Sequence, residues 1–312
     1  MESCDIKREY AVSLAKHSRR GGLYWSSIFG ILFSIIGITL SPVFVYMYQS
    51  RGCVIVAATL FLFSLTILIY TRRVLKRSHR YAQAVHYFHF VNHVMRDYTA
   101  EIIRGGKFRS LDDELSDIVT AIADCFSAVT EQKCRCCIKA LEAGTSPQQL
   151  FLRTVARDRL SSVYSHGDNM RHKLDENTDF SNLWYAVPPF FRGYVANDLH
   201  KLFIQGEYQN TSIKKGYRAD VGPFGKVRNW PLPYVSTLVV PIRYISEFLP
   251  PKEDAEKVTS HWICWGFLCI DSNHKNVFLD PDLLILAGGF ADSIYSFVSN
   301  VECHLKKDLF SK

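Results

Sequence analysis

The sequence predicts an α+β membrane protein: an N-terminal two-helix transmembrane hairpin, a connecting amphipathic helix, and a C-terminal antiparallel sheet flanked by helices. Three observations predict it. Two uncharged apolar runs dominate residues 23–70, a seam of apolar side chains at heptad spacing follows them, and the rest of the chain alternates β-branched runs with helical patterns. Across 312 residues, 48% hydrophobic and 21% charged side chains exclude a long disordered chain.

The first run, Leu23 to Tyr48, carries no charge and at 1.5 Å per residue is long enough to cross a hydrocarbon core of about 30 Å. It is too long for a signal peptide and ends in SPVFVYMYQ rather than at a small-residue cleavage site. After a turn at Gln49–Gly52, the run Cys53 to Tyr70 supplies a second, minimal crossing. Lys16, Arg19 and Arg20 precede the first span, and Arg72, Arg73, Lys76, Arg77 and Arg80 follow the second, while the turn holds only Arg51. The positive-inside rule then places both termini in the cytoplasm of a multi-pass protein of the inner (plasma) membrane. The same residues account for much of the net charge of +7 through attraction to anionic headgroups, so the basic balance does not point to nucleic acid. Ser26, Gly30 and Ser34 form a small-xxx-small stripe that lets two such helices approach closely.

Beyond the second span, Ile67, Tyr70, Val74, Arg77, Tyr81, Ala84, Phe88, Val91, Met95, Tyr98 and Ile102 share a heptad seam, interrupted by Arg77 and the small Ala84. The expectation is a long helix that pairs loosely with a second copy, giving a homodimer or higher oligomer. His86, His89 and His93 lie near one face of this helix but outside the seam. With no carboxylate or cysteine at ligand spacing they read as a polar face, and no metal site is assigned. The Gly105-Gly106 pair ends the helix.

Ser110 caps the next predicted helix, which runs to about Glu131 with Asp112, Asp113 and Glu114 in its first turn, favourable to the helix dipole. CRCCIKAL (134–141) and LFLRTVAR (150–157) read as a hairpin. Residues 158–178 look too charged for core. Asp179 is expected to cap a helix through FSNLWYAV, and Phe190–Leu202 to form another. Residues 206–229 read as a glycine-rich, basic, flexible loop over one face. STLVVPIR (236–243) and ICWGFLCIDS (263–272) are strands separated by a polar loop at 250–260. A last helix starts at Pro281 with Asp280 as cap, and Leu284, Ala287, Ala291, Ile294, Val298 and Val301 keep helical spacing before a polar, frayed end at 299–312.

This order, together with the stretches YVANDLHKLF, YVSTLVVPIRY, WGFLCIDS and FADSIYSFV, resembles the GAF domains that follow a transmembrane segment in bacterial proteins. The resemblance covers roughly residues 110–300 and is tightest in the two late strands. It implies a five- or six-stranded antiparallel sheet with helices on both sides, a pocket on one sheet face, and dimerisation through the first and last helices. It implies no particular ligand, because such domains bind cyclic nucleotides, bilins, haem, small metabolites or nothing. The Asn-Lys-Phe-Asp-Glu arrangement of cyclic-nucleotide phosphodiesterases is absent as such, and the cysteines do not sit where a phytochrome-like bilin attaches. The domain organisation is therefore a cytoplasmic segment (1–22), the hairpin (23–71), a coiled-coil-like helix (72–104), a GAF-like sensor domain (105–300) and a tail (301–312).

Chemistry has thinner support. The nine cysteines include the C-x-C-C of Cys134, Cys136 and Cys137, and in a cytoplasmic domain they are expected to be reduced, ordinary buried side chains. No G-x-S-x-G, phosphate-binding glycine loop or H-E-x-x-H occurs, so no enzyme and no cofactor are expected. Strand alternation puts Leu238, Val240 and Ile242 on one face of the first late strand and Thr237, Val239, Pro241 and Arg243 on the other. On the second late strand, Trp265, Phe267, Cys269 and Asp271 share a face. A pocket on the mixed faces would use Thr237, Arg243 and Asp271, with Asn197 and Asp198 as hydrogen-bonding wall and Trp184, Tyr185 and Trp230 for stacking. Arg243 then favours a small anionic or nucleotide-like ligand. The competing reading pairs Arg243 with Asp271 or Asp198 to close the domain.

No kinase, cyclase or phosphodiesterase sequence follows. The expected function is a dimeric membrane-anchored sensor that signals through the connecting helix to the hairpin, with the hairpin as output, as in bacterial defence proteins that disrupt the inner membrane on binding a signalling nucleotide. The alternative is a ligand-free scaffold that dimerises and recruits a partner to the membrane.

Overall fold

The computed structural model describes residues 30, 51–105, 110–144, 149–161, 171–185, 193–214, 216–220, 222, 229–245 and 262–310. The chain divides into two compact units, residues 1–90 and 91–312. The first predicted span, apart from Gly30, and the 250–260 loop lie outside the described residues.

In the first unit, helix α1 (Arg51–Ile103) is already formed at Arg51 and Gly52, so the turn expected to reach Gly52 stops short of it. Phe61, Leu62, Phe63 and Tyr70 are 61–69% exposed, an apolar surface that no other described residue covers. In the second unit, the last residues of α1 behave differently: Val91, Met95, Tyr98 and Ile102 are buried.

Helix α2 (Leu111–Thr130) starts as expected, with the Ser110 hydroxyl accepting the Asp113 N–H at 3.2 Å, and ends on Glu131 in the left-handed region at φ 59°. Strands β1 (Cys134–Ala143) and β2 (Leu150–Arg157) form the expected hairpin. A two-residue strand β3 (His172–Lys173), a 3-10 turn at Leu174–Glu176 and helix α3 (Thr178–Trp184) come next. Then follow β4 (Tyr194–Ala196), helix α4 (Leu199–Ile204), β5 (Ser236–Ile245), β6 (Trp262–Ser272) and α5 (Asp282–Phe310).

Three expectations need correction. Residues 158–178 are not all surface: Asp158 is buried, its carboxylate accepting the Cys136 N–H at 2.9 Å and the Ser161 hydroxyl at 2.7 Å. Phe190–Leu202 is not one helix, because Tyr194–Ala196 pairs with Val239–Thr237 and that ladder overrides helical spacing. The chain end is not frayed at 299: α5 continues to Phe310 because Val298 and Val301 extend its buried stripe.

The sheet is antiparallel with order β3-β2-β1-β6-β5-β4. Its central rows explain its two faces. Cys136, Ile270 and Leu238 align across three strands, as do Ile138, Leu268 and Val240, and all six are buried. This face receives α2, which packs on β1 and β2, and α5, which packs on β5 and β6. Phe126 of α2 and Phe290 of α5 meet with ring centroids 6.3 Å apart. Residues Asp282–Cys303 of α5 are long and apolar enough to cross a membrane, yet Ala287, Phe290, Ala291 and Ile294 are fully buried, which makes this a core helix. At the end of the α1 seam, Tyr98 packs edge-on against Phe297 of α5 at 5.6 Å.

Candidate polar cavity on the open sheet face

The opposite sheet face carries the rows Cys137–Cys269–Val239 and Arg135–Asp271–Thr237. Next to the apolar cluster of Leu152, Leu174, Phe180, Leu183, Val239 and Phe267 lies a partly open cavity of about 50 Å³. The sheet contributes Lys139, Thr237, Cys269 and Asp271 to its wall, and the covering segments contribute His172, Asn177, Asp179 and Asn210. The cover is held by hydrogen bonds between segments far apart in sequence. Thr178 N–H donates to the Gln209 carbonyl at 3.1 Å, and the Gln209 N–H returns to the Thr178 hydroxyl at 2.8 Å. The Asn177 carboxamide oxygen accepts both the N–H and the hydroxyl of Thr211 at 3.1 and 3.2 Å. Tyr208 is fully buried and accepts from the Asn210 amide at 3.0 Å, so the segment expected as a flexible loop is anchored here.

Two carboxylates face this cavity. Asp179 is 3% exposed and sits inside α3; it does not cap the helix, since Asn177 occupies the N-cap position. It accepts the Phe180 N–H at 3.1 Å. Burial and then the neighbouring Asp271 push its pKa up to about 7. Asp271 rises to about 6 through burial, opposed first by a hydrogen bond from Thr237 and then by the fields of Lys139, Arg157 and Arg135. Lys139, on the same wall, lowers both carboxylates through its field, and its ammonium donates to the Thr154 hydroxyl at 3.0 Å. His172 is held down to about 4 by burial and then by Lys139 and Arg157, and its Nδ1 meets the Thr211 hydroxyl at 2.7 Å. Cys137 and Cys269 lie side by side on the same face, and their thiols share a hydrogen bond that lowers Cys137 and raises Cys269 after burial.

Of the eight residues expected to bind ligand, Thr237 and Asp271 line this cavity. Arg243 does not. The β5–β6 register shifts after Ile242, and β4 pairs with β5 only as far as Val239, so Arg243 stands at an open sheet edge. There it lines a separate groove of about 770 Å³ against α5, together with Pro241, Gly288, Gly289 and Asp292. Its expected partners Asp271 and Asp198 are replaced by the field of Asp292. Asn197 is structural: its carboxamide takes the Phe278 N–H at 2.7 Å and donates to the Phe278 carbonyl at 3.2 Å, clamping the β6–α5 connection. Asp198 caps α4 through the Lys201 N–H and pairs with Lys275 at 2.9 Å. Trp230 packs edge-on to His200 and Phe203 and donates to the Tyr234 carbonyl at 2.7 Å. Trp184 and Tyr185 are exposed, the latter donating to Asp175 at 2.8 Å.

The sequence reading missed Lys139, His172, Asn177, Asp179 and Asn210. A signal existed for Lys139: it is a charge in the middle of an apolar strand, in phase with Cys137 and Leu141, and therefore on their face. Among the described residues no three metal-ligating side chains converge.

No family model matches this chain, and no curated protein matches it. Similar solved structures include the GAF domain of an Acinetobacter phosphoenolpyruvate-protein phosphotransferase, at 13% identity over 67% of this chain and 93% of that one, with a TM-score of 0.37. The free methionine-R-sulfoxide reductase of Neisseria meningitidis, in complex with its substrate, is 12% identical over 70% and 90%, TM-score 0.36. A phycoerythrobilin-bound GAF domain from a cyanobacterial phytochrome is 14% identical over 68% and 96%, TM-score 0.34. The GAF-like description of residues 111–310 rests on the six-stranded antiparallel sheet and its flanking helices, which are those the sequence resemblance implies.

Proposed function

We propose that this protein is a membrane-anchored sensor whose C-terminal domain binds a small molecule in the cavity lined by Asp179 and Asp271. The single observation that supports this most is the polar cavity on the sheet face away from α2 and α5. Buried carboxylates cost folding free energy unless they are paired or used. The role is binding rather than catalysis. The uncharged runs 23–48 and 53–70 serve as the two spans, and the exposed Phe61, Leu62, Phe63 and Tyr70 suit contact with lipid. Both termini then face the cytoplasm, and α1 carries the ligand-dependent change to the hairpin in an oligomer. In the nucleotide-responsive, defence-type form of this reading, the ligand occupies the larger groove at Arg243, since a nucleotide exceeds the cavity.

The full-length protein in detergent micelles tests the reading. A panel of small metabolites and nucleotides is expected to contain compounds that raise its melting temperature in a dose-dependent way. No shift from any compound, together with recovery of the protein in the soluble fraction of cells, would overturn it. The second reading, a ligand-free scaffold that recruits a partner, is favoured by the small cavity volume and by the internal satisfaction of Asn177 and His172.

A further inference from the structure

We infer that the cavity receives a small organic cation, a protonated primary amine with only a few non-hydrogen atoms, held between Asp179 and Asp271. This rests on the sensor reading above and names the chemistry its ligand must have.

Four observations converge on it. Asp179 is 3% exposed, lines the cavity, and takes its hydrogen bonds from backbone N–H groups of its own helix turn. A second carboxylate, Asp271, lines the same space from the sheet, where Thr237 donates to it and Lys139, Arg157 and Arg135 act on it through their fields. Lys139, on the same wall, would be the natural counter-ion, yet its ammonium is held by Thr154 across the β1–β2 ladder. The remaining polar lining is committed elsewhere: Asn177 to Thr211, His172 to Thr211, and Asn210 to Tyr208 and Ser212. The unused acceptor capacity of the cavity is thus concentrated on two carboxylates.

The occupant's chemistry follows. An ammonium group offers three N–H donors and a full positive charge, which two carboxylates can share through short, charge-assisted hydrogen bonds. A metal ion fits less well, because among the described residues no three ligating side chains stand close enough together to hold one. An anion would meet two carboxylates. A cavity of about 50 Å³ suits a molecule replacing a few waters, which excludes a nucleotide or a bilin. Bringing a cation between the acids also stabilises their ionised forms, which burial opposes in the empty site.

Ethylamine, n-propanol and propionate are similar in size and differ in charge, so they separate the possibilities. With full-length protein in detergent at pH 8 and matched ionic strength, millimolar ethylammonium is expected to raise the melting temperature by a few degrees and to give a saturable calorimetric isotherm. Propanol, propionate and magnesium chloride are expected to give neither. Asp179→Asn should weaken ethylammonium at least tenfold, and Lys139→Met, which removes a like charge, should tighten it several-fold. Should Asp179→Asn fail to fold, Asp271→Asn and the charge selectivity of the unaltered protein still decide the matter. Equal responses to propanol or propionate, a magnesium response larger than that to ethylammonium, or no response to ethylammonium would overturn the cation assignment. If nucleotides or other metabolites shift the melt while ethylammonium does not, the cation class fails and the sensor reading stands; if nothing shifts it, both fail.

Discussion

The two faces of the sheet are built from the same strands to opposite ends. Toward α2 and α5, the rows of Cys136, Ile270 and Leu238 and of Ile138, Leu268 and Val240 are apolar and buried. On the other face the same residues' neighbours include Lys139, Thr237 and Asp271, covered by segments that bring in His172, Asn177 and Asp179. Strand alternation makes this division possible at single-residue resolution. Stability is concentrated on the first face, and the second retains buried charge that a purely structural face would not need.

The largest break in this contrast is expected at Gly266, where β6 passes close to β1. An added Cβ would come to 2.2 Å from the Lys139 carbonyl oxygen, a backbone atom that cannot step aside. Gly266→Ala should therefore part the central ladder and abolish the cooperative melt of the domain, seen as loss of near-ultraviolet circular dichroism. Next comes Phe290→Ala on the apolar face: a fully buried ring beside Phe126 is lost, at a cost of about 3–5 kcal/mol. Its melting temperature should fall by several degrees, while any cavity ligand keeps its affinity as long as the domain is folded. Arg243→Ala should leave binding in the cavity unchanged within a factor of about two, because Arg243 lines the groove at α5 instead. Tyr185→Phe, which removes only an exposed hydrogen bond to Asp175, should change stability by no more than about 0.5 kcal/mol in a thermal melt.

The apolar face was legible from sequence because its information is local. Period-two alternation in STLVVPIR and WGFLCIDS and 3.6-residue spacing in α5 each identify their buried residues without reference to any distant segment. The cavity was only half legible. Thr237 and Asp271 follow from alternation, but Asp179 preceding an apolar run has the appearance of a helix cap, and Asn177 takes that position. The walls at 171–179 and 207–213 are assembled through Thr178–Gln209 and Asn177–Thr211 bonds, between residues more than 30 apart, and no local pattern encodes them. Arg243 misled for a related reason: alternation counted from Thr237 loses its meaning where the β5–β6 register shifts.

The central claim, that the second face keeps a buried carboxylate whose charged form the fold disfavours, is tested most directly by comparing the pH dependence of stability of the unaltered protein and Asp179→Asn. In the unfolded chain Asp179 ionises near its ordinary value of 3.8, whereas in the fold it keeps its proton up to about 7. Its contribution to stability is therefore fully present below about pH 4, declines as pH rises through 7, and is constant above. Asp271, raised to about 6, acts with the same sign, and His172, lowered to about 4, with the opposite sign. Lys139, Arg157, Arg135, Tyr208 and Tyr234 also bear on this site and are common to both proteins, so the difference between the two melts isolates Asp179. At about 1.4 kcal/mol per unit of displacement, the variant should match the unaltered protein near pH 4 and exceed it by a few kcal/mol at pH 8. A variant that is less stable at pH 8, or a difference that does not change between pH 4 and 8, would contradict the claim.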